Sequence, residues 1–329
     1  MGNVVSAAYR LAKRYDCMDL PEALDPNAPH HADRAAGTTS GDTNDISGTN
    51  SQDVGQDMVA SFDDVKPSIR DFDGKRFSRC YALGKRIGEG SYSEVFEATL
   101  RGSPPGSQLY AVKKTLREGL KKNQEKGLFE EVRILRMLQH SNVVGIYQFF
   151  KDDPKYYYVV LEHMEGGELF DRIVQKMYYN EQEARDLCRV LIDSVRYCHE
   201  LGIVHRNLKP ENLLLTSMSD NTNIKLADFS LACSVLNGNV TEQYGSPGYV
   251  APEILRAMPY GTSVDMWSMG VIIYTLLGGY PPFHDENQSR LFRRIKAGSF
   301  KFHDEYWSDI SAEAKILSED YWWWIPGRG

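Results

Sequence analysis

Apolar and polar positions change rhythm along this chain of 329 residues. Residues 1–20 set Val4, Val5, Ala8, Leu11, Ala12 and Tyr15 at helical spacing against Arg10, Lys13 and Arg14, which predicts a basic amphipathic segment. Residues 21–75 are rich in Asp, Gly, Ser, Thr and Asn and poor in large apolar side chains. Such a stretch buries too little surface to offset its ordering entropy, so a disordered linker is expected there. From residue 76 to 318 the texture is globular, and residues 319–329 read as an unrelated tail.

Within the globular part, alternation predicts strands at 81–88, 94–100 and 108–114, and an apolar run predicts another at 156–163. The stretch 116–139 has helical spacing, with Leu128, Val132, Leu135 and Leu138 on one face. After Gly166-Gly167 the pattern turns mostly helical, at 169–175, 181–201, 263–277 and 290–297. No internal repeat is visible. The expectation is an α+β protein of two lobes: a small antiparallel sheet with one helix (81–161), a short connection (162–164) and a mostly helical lobe (165–318).

Composition narrows the classes. A net charge of -7 argues against a nucleic-acid binder, which normally shows a basic face. Cys17, Cys80, Cys188, Cys198 and Cys233 have neither metal-ligand spacing nor a C-x-x-C pair, as expected of reduced thiols in an intracellular protein. No apolar run approaches the ~20 residues of a membrane span, and the N-terminus lacks the apolar core of a secretory signal.

Seven short motifs follow one another in the globular part. They are Gly88-Glu89-Gly90-Ser91-Tyr92-Ser93-Glu94-Val95, Tyr110-Ala111-Val112-Lys113, and Glu130-Glu131-Val132-Arg133-Ile134-Leu135. Then come His205-Arg206-Asn207-Leu208-Lys209-Pro210-Glu211-Asn212, Asp228-Phe229-Ser230, Ser246-Pro247-Gly248-Tyr249-Val250-Ala251-Pro252-Glu253, and Ser263-Val264-Asp265-Met266-Trp267-Ser268. A lone G-x-G is more often a plain hairpin turn, but seven motifs in this order and at these separations resemble a protein kinase. Gly166-Gly167-Glu168-Leu169-Phe170-Asp171-Arg172 and Gly279-Tyr280-Pro281-Pro282-Phe283, with Lys209 in the catalytic loop, resemble the calcium/calmodulin-dependent group of serine/threonine kinases.

The resemblance implies a bilobal kinase fold that binds Mg-ATP. Gly88 and Gly90 would let backbone N–H groups approach the phosphates, and Lys113 would pair with them. Lys114 is the rival by local pattern; alternation puts only one of the two in the cleft, and register with the motif favours Lys113. Glu131, four residues before Leu135, lies toward the buried helix face and would pair with Lys113. Ile87, Val95, Ala111, Leu161, Glu162, His163, Met164 and Leu214 are the implied surroundings of the base. Glu168 is implied at the ribose and at a basic residue of the substrate, so the expected partner is an arginine-containing protein or peptide. Asn212 and Asp228 are the implied magnesium ligands, Lys209 would lie near the transferred phosphate, and Asp265 would hold the catalytic-loop backbone.

Three departures from the family change this reading. Asn207 stands where the catalytic aspartate belongs; a carboxamide can accept a hydrogen bond but cannot act as a base. Ser230 replaces a glycine, which narrows the backbone conformations open to it and is expected to alter loop flipping without loss of metal binding. The C-terminal stretch is expected to leave the lower lobe incomplete, Glu253 without an arginine partner, and no calmodulin-binding segment. Two function classes therefore stand: a Ser/Thr kinase of reduced turnover, and a non-catalytic nucleotide-binding scaffold.

Met1-Gly2-Asn3-Val4-Val5-Ser6 fits the myristoylation pattern at Gly2. Arg10, Lys13, Arg14 or an acylated Cys17 would supply the second membrane signal that one acyl chain needs. The expected location is the cytoplasm and the cytoplasmic face of membranes. In many kinases of this group a phosphothreonine lies three residues before the glycine of the motif at Gly245; here that position is Glu242, beside Thr241. A fixed carboxylate there is expected either to pair with Arg206 without modification or to be an ordinary exposed loop glutamate.

Overall fold

The computed structural model describes residues 76–90, 92–151, 153–176 and 179–323, the last five as backbone only. The anchor with Gly2, the linker 21–75 and the end of the tail lie outside the described residues.

The first lobe opens with a short helix α1 (Phe77–Cys80), then β1 (Tyr81–Glu89), β2 (Ser93–Leu100), β3 (Tyr110–Leu116), helix α2 (Lys122–Met137), β4 (Ile146–Phe150) and β5 (Tyr156–Glu162). The strands form one antiparallel sheet in the order β1-β2-β3-β5-β4. One face packs on α2 through Leu128, Val132, Tyr157 and Val159. The other is covered by α1: the Phe77 ring stacks on Tyr158 at 4.0 Å and meets Phe150 edge-on at 5.5 Å. Two differences from the expected elements have local causes. The helix begins at Lys122, not residue 116, because Leu116 still pairs with Tyr156 as the end of β3 and Gly119 turns the chain at φ 81°. β4 was not expected; its five residues are too few to show a period.

The second lobe holds α3 (Leu169–Lys176), α4 (Glu181–Glu200), β6 (Ile203–Val204), β7 (Leu213–Leu215), β8 (Ile224–Leu226), β9 (Cys233–Ser234), α5 (Pro252–Leu255), α6 (Ser263–Gly278), α7 (Gln288–Ala297), α8 (Asp304–Trp307) and α9 (Ala312–Trp323). Its core is built around α6, whose residues from Val264 to Gly278 are buried almost throughout. α4 is closed at its N-terminus by Asn180, which accepts from the Glu183 N–H while Glu183 reaches back. β6 pairs with β9 and β7 with β8, two small ribbons that carry the loops between the lobes. The tail expected from residue 319 does not begin there: α9 runs unbroken to Trp323. Among the described residues no helix is long and apolar enough to cross a membrane.

Candidate active site

In the sheet, Val95 lies opposite Lys113, Gly88 opposite Val95 and Ala111 opposite Leu161, so these residues share the face that looks onto the cleft. The Lys113 ammonium reaches both carboxylate oxygens of Glu131 on α2 at 2.8 Å. It also lies 3.9 Å from Asp228 Oδ1. Burial alone would lower the Lys113 pKa, but the two carboxylates outweigh it and hold the group above its ordinary 10.5. Lys114 is corrected out of the cleft. Successive strand residues point to opposite faces, and its ammonium sits 3.6 Å from Glu94 and over the Tyr156 ring at 4.3 Å. At the tip of the loop, the Gly90 N–H donates to the Ser93 carbonyl at 2.7 Å, while Ile87 is exposed at its root.

Glu162, at the expected connection, is held by its side chain. Its carboxylate accepts from Lys225 at 2.8 Å and from the Gly145 N–H at 3.2 Å. The side chain ties the end of β5 to β8, leaving only its backbone for a nucleotide. His163 Nε2 lies 3.9 Å from Glu97, and Met164 is half-buried. Glu168 and Leu214 are brought together by an isolated antiparallel bridge. The chain approaches itself so closely here that a Cβ on Gly166 would lie 2.5 Å from both the Leu215 side chain and the Ser217 carbonyl oxygen, which is why this position is glycine.

The catalytic loop hangs from Asp265. Buried on α6, its carboxylate accepts from the backbone N–H groups of His205 and Arg206 at 2.8 Å each, and His199 Nε2 lies 2.9 Å away. Burial pushes this carboxyl up, but His199 and His205 outweigh it and the net shift is downward. Arg206 takes a left-handed φ of 67°, a strained conformation these bonds stabilise. Asn207 follows. Its Oδ1 accepts from the Ser246 hydroxyl at 2.9 Å, and its carbonyl accepts from Asn212 Nδ2 at 2.8 Å. The Asn212 carbonyl accepts from the Ala227 N–H at 2.9 Å, which brings Asn212 beside Asp228. Lys209 is extended and half-buried at the head of the 3-10 turn Pro210–Asn212.

Asp228, not residue 230, carries the left-handed backbone, with φ 57°. Ser230 lies inside the right-handed 3-10 turn Phe229–Leu231, a conformation that serine adopts freely. Burial pushes the Asp228 carboxyl up; the Lys113 charge, the neighbouring Ser230 dipoles and the His205 ring outweigh it, and the group lies below its ordinary value. Asp228 and Asn212 offer a carboxylate and an amide oxygen, the hard donors magnesium prefers. Because Asn212 spends its Nδ2 on the Asn207 carbonyl, its oxygen is left for a metal. The residues present therefore fit the ion.

The activation segment meets Arg206. The guanidinium donates from Nε to the Leu231 carbonyl at 2.5 Å and from Nη1 to the Tyr260 hydroxyl at 3.2 Å. It packs on the Tyr244 ring at 5.0 Å and lies 3.6 Å from the Glu242 carboxylate. The Tyr260 hydroxyl donates to the Glu242 carbonyl at 2.5 Å. Thr241, next to it, is exposed. Sequence reasoning missed Tyr260, Lys225 and the Ser246 contact. Ser246 sat inside a quoted motif; Tyr260 and Lys225 had no local signal, since their partners lie tens of residues away.

The chain matches the protein kinase domain model over residues 81–326. It belongs to the protein kinases, and within them to the calcium/calmodulin-dependent serine/threonine group. It is 45% identical over 235 residues to calcium/calmodulin-dependent protein kinase type 1 of Macrobrachium nipponense, covering 71% of this chain and 67% of that one. Against the type 1 kinase of Caenorhabditis elegans it is 44% identical over 229 residues, 70% of this chain and 65% of the relative. Against the type II subunit delta of Oryctolagus cuniculus it is 43% identical over 245 residues, 74% and 45% respectively. The chain thus spans about two thirds of the length of these type 1 relatives and less than half of the type II subunit.

Proposed function

We propose that this protein is a Ser/Thr protein kinase of reduced turnover, which binds Mg-ATP and transfers its γ-phosphate to serine or threonine in basic peptides. The observation that carries the reading is the Lys113–Glu131 pair at 2.8 Å beside Asp228. It sets an ammonium, kept charged by two carboxylates, where polyphosphate oxygens would lie. Lys113 and Lys209 neutralise phosphate charge, Gly88 and Gly90 offer backbone N–H groups, and Glu168 draws an arginine of the peptide. Asn212 and Asp228 would hold magnesium, which supplies further neutralisation of the phosphates.

What the site lacks is a base. General-base help is typically worth ~10²–10⁴ in rate, whereas phosphoryl transfer depends chiefly on positioning and charge. From a typical ~1–100 s⁻¹, loss of the base leaves on the order of 10⁻⁴ to 1 s⁻¹. A second reading has an observation in its favour. With Asn207 Oδ1 already accepting from Ser246 and no carboxylate at that position, the protein would act as a nucleotide-binding scaffold that docks partners. Either form works at a membrane, held by a myristoyl group on Gly2 and the basic residues that follow. The deciding assay is phosphate transfer to an arginine-containing peptide by the wild type and Asn207→Asp. The kinase reading expects slow transfer that rises ~10²–10⁴-fold in the variant. An inert variant that still binds nucleotide would reject it in favour of the scaffold.

A further inference from the structure

Helix α7 (Gln288–Ala297) carries four cations, Arg290, Arg293, Arg294 and Lys296, and no acid. Its apolar side is spent on the lobe, with Leu291 and Ile295 buried and Phe292 packed beside them. The four basic positions fall on the opposite side of the helix, and all four are exposed. Arg256, just after α5, joins them: its guanidinium donates to the Lys296 carbonyl at 2.5 Å, in the last turn of α7. Two others are fixed in place. Arg290 Nε lies 2.8 Å from Asp285 Oδ1, and Arg294 Nη1 donates to the His284 carbonyl at 2.6 Å. The side chains of Arg293 and Lys296 have neither an ion pair nor a hydrogen bond among the described residues. The acids at this end of the lobe are Asp285 and its neighbour Glu286, so five cations face two carboxylates. None of these cations belongs to the cleft.

We propose that the exposed face of α7, with Arg256, is a docking surface for anionic lipid headgroups. The inference deepens the reading of a membrane-tethered kinase. Charge selects the occupant: clusters of about four to eight Lys and Arg on one helix face are what an anionic lipid surface attracts. The chain as a whole does not share this charge, since its net value is -7. A protein partner would need an apolar centre to seat on, and α7 exposes no large apolar side chain. A layer of headgroups needs only charge. Because the apolar side of α7 is buried in the lobe, the helix does not insert, and the contact is electrostatic and screened by salt. Each cation near such a surface strengthens binding about five-fold. One acyl chain gives a marginal anchor that needs a second signal. The α7 face supplies such a signal in the folded domain, beside Arg10, Lys13 and Arg14, and gives the tethered domain an orientation.

The test is sedimentation with phosphatidylcholine vesicles, with and without phosphatidylserine, using the full chain as Gly2→Ala so that no acyl chain contributes. This protein is expected to bind only the vesicles that hold phosphatidylserine, and to leave them as salt is raised. Adding Arg293→Gln and Lys296→Gln should lower the partition coefficient about 25-fold, the product of two charges of about five-fold each, with the melting temperature unchanged. Lys122→Gln with Lys126→Gln, at exposed positions of α2, removes the same net charge from the other lobe and should leave most of the binding. Equal losses from the two pairs, or no loss from the first, overturn the proposal, as does equal binding to both kinds of vesicle. Binding of a polyglutamate peptide through Arg293 and Lys296, with no binding to either vesicle, overturns it in favour of an acidic protein partner. Wild type that stays off membranes in cells, while the Gly2→Ala protein binds phosphatidylserine through Arg293 and Lys296, rejects the acyl tether and leaves the α7 surface standing.

Discussion

The Arg206 guanidinium lies 3.6 Å from the Glu242 carboxylate, and the two partners differ in exposure: the arginine side chain is 8% exposed, the glutamate 57%. Arg206 is bonded through its backbone to Asp265 and precedes Asn207. Charge at position 242 is therefore one residue removed from the base position, without any modification of the chain.

The exposure of Glu242 bounds its effect. Pairs screened by water contribute ~0.2–1 kcal/mol, a factor of up to about five. Glu242→Gln should lower phosphotransfer by about two- to five-fold, read most easily in the Asn207→Asp background, while Thr241→Ala leaves it unchanged. Dependence of the rate on a phosphate at Thr241, seen by treatment with a phosphatase, would contradict this.

Lys113→Met should remove most of the rise in melting temperature that millimolar Mg-ATP produces. The apo protein should stay folded, because the methionine keeps the apolar stem. Lys114→Met, on the outer face of the sheet, should leave the shift in place. Equal effects from both lysines would show that the 2.8 Å pair with Glu131 has no part in nucleotide binding.

Glu253 gives a prediction in pH. It is 3% exposed, has no ion-pair partner among the described residues, and meets only the Ser263 hydroxyl at 3.4 Å. Burial pushes its pKa above the ordinary 4.5, against smaller opposing hydrogen bonds and the weaker pull of the Arg256 charge. Below 4.5 the carboxyl is protonated folded and unfolded alike, so burial carries no charge penalty. As pH rises through the raised folded value, the unfolded state loses its proton more readily and stability falls. Glu253→Gln should therefore raise the melting temperature at pH 7 and not at pH 4. A melting temperature lowered at pH 7 would point to a cation paired with Glu253 in the intact protein.

The N-terminal proposal is tested in cells with an N-myristoyltransferase. Wild type should gain the acyl mass and partition to membranes, and Gly2→Ala should be released, because the acyl chain needs an N-terminal glycine. One chain binds with only ~10⁴ M⁻¹, and each basic residue near an anionic surface adds about 1 kcal/mol. Exchanging Arg10, Lys13 and Arg14 for glutamine should thus weaken the membrane fraction with Gly2 intact. Equal fractions for wild type and Gly2→Ala would reject the tether.

Motifs set by short-range spacing were legible in the chain. The loop from His205 to Asn212, the strand ending at Lys113 and the helix face holding Glu131 follow from local period and order, because adjacent residues in a loop or strand have little freedom to separate. The same holds for the two-lobed layout: a period of two before residue 116 and a helical period after 166 already divide sheet from helices. Which face of the sheet became the cleft was a different matter. Alternation separated Lys113 from Lys114, but only packing against α2 made one face the interior and gave Glu131 to Lys113. The Glu162 carboxylate took Lys225, 63 residues on, as its partner, and Arg206 gathered Leu231, Glu242, Tyr244 and Tyr260. Contacts at such separations leave no period in a single sequence. They arise when burial brings charged groups together and each must find a partner in its new surroundings. The backbone at 228–230 belongs with them. Residue type marked position 230 as the place where glycine's freedom was lost, but the tertiary turn put the left-handed conformation on Asp228 and left Ser230 in a right-handed 3-10 turn.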